Sequence, residues 1–185
     1  MGQQLSEDSD IKIAQVVSEA LLERHPVKEF VPGVSSIPVS GKVFGQAEMT
    51  AAVQASLDFW LTSGPYTEEF ESRFAKTVGM RDSFMVNSGS SANLVALTTL
   101  TSPKIGARAL KPGDEVLTVA AGFPTTVTPI IQNGLVPVYI DVALETYVAN
   151  DQALEEAIGP KTKAILMANH LRKPMTRHIF EKLEK

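Results

Sequence analysis

Apolar residues first recur at helical spacing in the stretch Ser6–Arg24, where Ile13, Val17, Ala20 and Leu21 share one side. Ser6, Asp8 and Asp10 offer N-caps at its start and Pro26 stops it. Residues 31–45 (VPGVSSIPVSGKVFG) are crowded with Pro, Gly and Ser and read as an extended connector. A second helix is expected over Gln46–Thr62, with Met49, Val53, Leu57, Trp60 and Leu61 on one face and a Gly64-Pro65 turn at its end. A third runs over Glu68–Val78, its buried side marked by Phe70 and Phe74, four residues apart.

The period then changes. Short apolar strands at Ser83–Ser88, Asp114–Ala120, Val136–Val142 and Lys163–Asn169 alternate with helices over Ser90–Leu100, Thr125–Asn133 and Gln152–Ile158. This rhythm predicts an α/β fold, a mostly parallel sheet with helices on both faces. Ligands in such sheets sit at the carboxyl ends of the strands. The turns after Ser83–Ser88 and after Asp114–Ala120 are therefore the places to look for chemistry.

The first of these turns, Asn87-Ser88-Gly89-Ser90-Ser91-Ala92-Asn93, leads straight into a helix. It offers backbone amides, hydroxyls and the positive end of a helix dipole, the requirements of a phosphate monoester. It reads equally as an N-cap with a glycine-assisted strand-to-helix turn. Neither the GxGxxG fingerprint nor a GKS/GKT ending is present, which disfavours dinucleotides and nucleoside triphosphates. The second turn, Ala121-Gly122-Phe123-Pro124-Thr125-Thr126, puts an aromatic ring at the same sheet edge, with Pro124 suited to a first helical turn. The Phe123 ring suits stacking on a planar heteroaromatic ligand, or simply core packing.

Composition narrows the chemistry further. The chain has 185 residues, 44% of them hydrophobic, as in an ordinary globular domain. Its net charge of −4 lacks the electrostatic footprint of a nucleic-acid binder. With Cys 0, it holds no disulfide, no thiolate metal site and no cysteine nucleophile. His25, His170 and His178 share no ligand spacing with one another or with a carboxylate, so no metal site is expected. Glu68, Glu69 and Glu71 suit the start of a helix, and Asp141 suits a strand-to-turn junction. No apolar run reaches the roughly 18 residues of a membrane span and the amino end has no signal-peptide pattern, so a cytoplasmic location is expected. The last fifteen residues carry five Lys/Arg against two Asp/Glu, leaving −7 for residues 1–170. That seam reads as a strand running into an unrelated basic tail, the mark of a truncated chain.

Several linked stretches carry a resemblance: LTSGPYTEEFE (Leu61–Glu71), NSGSSANLVAL (Asn87–Leu97), KPGDEVLTVAAGFPTT (Lys111–Thr126), GLVPVYIDVALETY (Gly134–Tyr147) and IGPKTKAILMANH (Ile158–His170). In these the sequence resembles the DegT/DnrJ/EryC1/StrS sugar aminotransferase family, which belongs to the fold-type I, aspartate aminotransferase-like, pyridoxal-phosphate enzymes. It looks most like the CDP-4-keto-6-deoxy-D-glucose-3-dehydrase (RfbH-type) branch. The features pointing there are IPVSGKVFGQAEM, SLDFWLTSGPYTEEFE and the long connector LTSPKIGARALKPGDEV.

The resemblance implies pyridoxamine or pyridoxal 5′-phosphate as cofactor. Gly89, Ser90 and Ser91 match the positions that hold its phosphate, and Phe123 matches the aromatic that stacks on its ring. Gly64, Pro65 and Tyr66 fall where an early loop approaches the sugar nucleotide. The branch implies a CDP-hexose substrate of lipopolysaccharide dideoxyhexose synthesis, loss of the C-3 hydroxyl, a [2Fe-2S] cluster, a reductase partner and a homodimer. The family's pyridine-nitrogen Asp, its Schiff-base Lys (a His in the dehydrase branch) and the cluster cysteines lie past the point where this chain departs from the pattern. No catalytic residue is therefore assigned, and His170, at the break, is not read as that His. The expected organisation is an amino-terminal helix and arm (1–45), an incomplete cofactor-binding large domain (46–170) and a divergent basic tail (171–185). The expected function is that of a 3-dehydrase fragment without activity of its own. A truncated sugar aminotransferase and a non-catalytic binding or oligomerisation subunit are the alternatives.

Overall fold

The computed structural model describes residues 7–168, so the Ser6 cap, the end of the expected last strand at Asn169, His170, and the tail with His178 lie outside the described residues. The chain divides into two compact units between Met85 and Val86.

The first unit is helical. Helix α1 (Glu7–Arg24) begins with Glu7, Asp8 and Asp10 in its first turn, where carboxylates favour the helix dipole, and α2 (Gln46–Leu57) runs antiparallel to it. Two side-chain amides join the pair: Gln46 Nε2 donates to the Ala14 carbonyl and Gln54 Nε2 to Asp10 Oδ1, both at 3.1 Å. At the start of α2 the Glu48 carboxylate accepts from the Gly45 amide at 2.7 Å. Hydrogen bonds from its own amide and then from that of Gly45 hold Glu48 below the usual carboxylate range.

Three expectations for this unit are corrected. Helix α2 ends at Leu57, five residues before Thr62, because Phe59 turns left-handed at φ 51° and the Trp60 indole N–H donates to the Ser63 carbonyl at 2.7 Å. Gly64-Pro65 opens the next helix, α3 (Pro65–Thr77), with Gly64 as N-cap and Pro65 at the first helical position, where its missing N–H costs nothing. Phe70 and Phe74 stack on each other at 5.6 Å but stay about half exposed, and Ala75 is the one buried residue among residues 7–85. Amphipathic spacing identified the apolar side of α3; whether another element covers that side is not written in the spacing.

The expected strand Ser83–Ser88 is likewise not formed. A strand exists only through a neighbouring ladder, and this segment instead bonds to α3: Ser83 Oγ donates to the Glu71 carbonyl at 2.7 Å and the Met85 amide to Glu71 Oε1 at 2.6 Å. Phe84 is left 81% exposed.

The second unit is built on strand β1 (Glu115–Val119). It lies between β2 (Val136–Ile140) and β3 (Thr162–Ile165), all parallel in the order β2-β1-β3, and Leu117 pairs with Val138 and Ile165. Its alternation sends Val116 to one face, with Leu97, Leu110, Ile130 and Leu135, and Leu117 and Val119 to the other, with Ile140, Ala149 and Leu154. The first face is covered by helices α4 (Gly89–Leu100) and α5 (Pro124–Gln132), the second by α6 (Asp151–Ala157), capped by the Asn150 side chain. The expected parallel α/β sheet with helices on both faces is thus observed. The strand expected to Val142 stops at Ile140, and Val142 instead bridges antiparallel to Ala149. Gly134 allows the short return from α5 to β2: its φ is +70°, and a Cβ there would meet Pro112 at 3.3 Å. Among the described residues no helix is long and apolar enough to cross a membrane.

This distribution of burial makes a contrast measurable by urea unfolding. Leu117→Ala, at a fully buried position on the central strand, is expected to cost about 2–5 kcal/mol. Phe84→Ser, at an exposed position, is expected to stay within about 0.5 kcal/mol.

Candidate functional site

The Asn87–Asn93 turn folds as it does because small polar side chains satisfy the first amides of α4. Ser88 is extended (φ −163°) and its Oγ accepts from the Ser91 amide at 3.2 Å, an N-cap. Ser91 Oγ donates to Asn87 Oδ1 at 2.6 Å, closing the turn on itself. The first intrahelical bond runs from the Ala92 amide to the Ser88 carbonyl at 3.0 Å. The amides of Gly89 and Ser90 precede it, and among the described residues neither has a protein acceptor. Space beside Gly89 is open, since a Cβ there would meet no atom within 4 Å. The N-cap reading of this turn is observed, and the cap leaves the Gly89 and Ser90 amides without a protein acceptor, beside an exposed Ser90.

Helix α5 starts at the carboxyl end of β1. Phe123 is its N-cap residue, 68% exposed, and Pro124 takes the first helical position. The Phe123 carbonyl accepts from the Thr126 amide at 2.9 Å, which fixes the chain where the ring departs.

Two contacts set the direction of α4 against α5. Asn93 Nδ2 donates to the Thr125 carbonyl at 3.4 Å, and Asn133 Nδ2 donates to Thr98 Oγ1 at 3.1 Å. Moving forward along one helix is moving forward along the other, so the two run parallel with both N-termini at the carboxyl edge of β1. Ser90 and Ser91 line a shallow cleft of about 210 Å³ together with Leu94, Thr125 and Thr128. Two positive helix ends and two unpaired amides at one edge favour an anion there.

The structure thus brings Gly89, Ser90, Ser91 and Phe123 to one edge of one unit. Gly64, Pro65 and Tyr66 belong to the other unit, at the start of α3. There the Trp60 ring lies so close to Gly64 that a Cβ would stand 2.6 Å from its Cδ1, so that position requires glycine. Tyr66 is about half exposed on the same side of α3 as Phe70 and Arg73. Asn93 and Thr125 were not singled out from sequence; the signal that could have found them is Pro129, a proline inside a helical pattern.

The cap is open to test. Ser88→Ala removes the acceptor of the Ser91 amide and is expected to lower the stability of the chain by about 1 kcal/mol, read from the urea midpoint at unchanged slope, while Ser88→Asp, which keeps an acceptor, is expected to preserve it.

The chain is 52% identical over 160 residues to the lipopolysaccharide biosynthesis protein RfbH of Salmonella typhimurium, covering 86% of this chain and 37% of that protein. It is 48% identical over 145 residues to dTDP-4-dehydro-2,6-dideoxy-D-glucose 3-dehydratase of Saccharopolyspora spinosa, covering 78% and 31%. It thus spans about a third of the length of the curated relatives it matches. Among solved structures, Escherichia coli GDP-4-keto-6-deoxy-D-mannose-3-dehydratase with bound hydrated PLP superposes with a TM-score of 0.71 at 35% identity, over 80% of this chain and 38% of that one. The fold is therefore part of the pyridoxal-phosphate-dependent aminotransferase fold. Residues 44–176 match the DegT/DnrJ/EryC1/StrS aminotransferase family, and the chain belongs to that family.

Proposed function

We propose that the joined N-termini of α4 and α5 hold pyridoxamine or pyridoxal 5′-phosphate. The observation that carries this reading is the pair of unpaired amides at Gly89 and Ser90, set at a doubled positive helix edge beside the exposed Phe123 ring. The likeness to a PLP-bound 3-dehydratase supports it. The residues fit the group: the Gly89 and Ser90 amides and the Ser90 hydroxyl donate to phosphate oxygens, and Phe123 supplies a flat apolar face for the ring. Ser91 acts differently from Ser90. Its hydroxyl proton is committed to Asn87, so it shapes the turn and does not donate to the ligand while that bond stands. When bound, the cofactor supplies an electron sink.

The reaction we propose for this site is removal of the C-3 hydroxyl from a nucleotide-linked 4-keto-6-deoxy hexose, a CDP-hexose, in lipopolysaccharide dideoxyhexose synthesis. The names of the relatives support a 3-dehydratase acting on a nucleotide-linked sugar in lipopolysaccharide biosynthesis, and the CDP group rests on the family resemblance alone. Gly64, Pro65 and Tyr66 are the residues we assign to the sugar nucleotide, and a homodimer served by a reductase is the assembly we propose. Residues 46–170 are the part we assign to the cofactor. A [2Fe-2S] cluster cannot be held by a chain with Cys 0, and none of its residues is assigned as catalytic base. Dehydration by this chain alone is accordingly expected to be absent.

Equilibrium titration with pyridoxal 5′-phosphate and, separately, with inorganic phosphate tests the reading. Ser90→Ala removes one charge-assisted hydrogen bond and is expected to weaken both ligands about tenfold. Phe123→Ala is expected to weaken pyridoxal 5′-phosphate and leave phosphate unchanged. Binding that neither substitution alters contradicts the assignment.

A further inference from the structure

Helix α5 contains a proline where its hydrogen-bond ladder needs a donor. Pro129 is buried in the helix interior. It has no N–H, so the carbonyl four residues earlier, that of Thr125, loses its intrahelical partner. The Asn93 side chain, from α4, donates to that carbonyl. An asparagine 32 residues away in sequence thus replaces a bond that α5 cannot make for itself. At the other end of the pair Asn133 Nδ2 donates to the Pro129 carbonyl at 2.8 Å and to Thr98 Oγ1, so the two helices are joined at both ends through side-chain amides.

The Asn93 end is the informative one. Asn93 lies one helical turn after Ser90, and Thr125 lies two residues after Phe123. The single bond between them spans the gap between the turn that offers unpaired amides and the residue that offers a ring. We propose that Asn93 is a positioning residue. By occupying the carbonyl that Pro129 leaves open, it sets the separation of Ser90 from Phe123, so that one ligand can rest its phosphate on the turn and its ring on the phenyl face together. This inference rests on the cofactor reading above and adds to it a residue that touches neither phosphate nor ring.

A positioning role separates two ligands that a general loss of stability would weaken alike. In the 185-residue chain, Asn93→Ala is expected to weaken pyridoxal 5′-phosphate about five- to tenfold, and to leave inorganic phosphate, which uses the turn alone, within about twofold. Asn93→Leu keeps about the same volume and removes the donor without adding a charge near the phosphate turn, and serves the same purpose if Asn93→Ala does not fold. Pro129→Ala supplies the missing N–H from within α5. That bond satisfies the Thr125 carbonyl but makes no link to α4, so in the Asn93→Ala background pyridoxal 5′-phosphate binding is expected to stay weakened, within about twofold of Asn93→Ala alone. Equal weakening of both ligands, no weakening of either, or rescue by Pro129→Ala, which would mean that Asn93 only satisfies the Thr125 carbonyl, overturns the positioning role. An unsubstituted chain that binds neither ligand overturns the cofactor reading itself, and the role of Asn93 with it.

Discussion

Burial of β1 on both faces holds the second unit together. Val116 and Leu117 are wholly inaccessible and point to opposite sides, so the strand is at once the floor of the α4/α5 layer and the ceiling of the α6 layer. Flanked by β2 and β3, it has no free edge, and its backbone groups are spent in two ladders. The direction of β1 then dictates the rest: a parallel neighbour requires a crossover helix, and that helix must start where β1 ends. The position of Phe123 and the first turn of α5 is therefore a consequence of strand packing.

The edge so created has an electrostatic character that no charged residue supplies. Neither α4 nor α5 has an acidic or basic residue in its first turn. The positive potential comes from aligned peptide dipoles and from amides that the helices cannot satisfy internally. Because α4 and α5 run parallel, these fields add at one place. Ser88 and Asn87 consume part of that capacity, since Ser88 takes the Ser91 amide and Asn87 takes the Ser91 hydroxyl. What remains, the Gly89 and Ser90 amides with the Ser90 hydroxyl, is a compact set of donors, the set we propose for the cofactor phosphate.

Much of this unit was legible in the residue pattern. Apolar β-runs bounded by Gly, Pro and Asn located β1, β2 and β3, and the small-residue turn before α4 announced an N-cap. What was not legible depended on contacts distant in sequence. Phe84, Met85 and Val86 have strand composition, yet without a neighbouring ladder the segment binds α3 through Glu71 instead. Phe70 and Phe74 have core spacing, yet periodicity reports which side of a helix is apolar and says nothing of what lies over it. Asn93 was invisible as a positioning residue because its partner is a backbone carbonyl on another helix, exposed only by the absent N–H of Pro129.

The most direct test of the account is an amide chemical-shift titration of the isotopically labelled chain with pyridoxal 5′-phosphate. The predicted result is saturable shifts led by Gly89 and Ser90 and accompanied by Phe123, with α3 unaffected. Shifts centred elsewhere, or none at Gly89 and Ser90 at saturation, would contradict the claim that the parallel helix ends form the cofactor site.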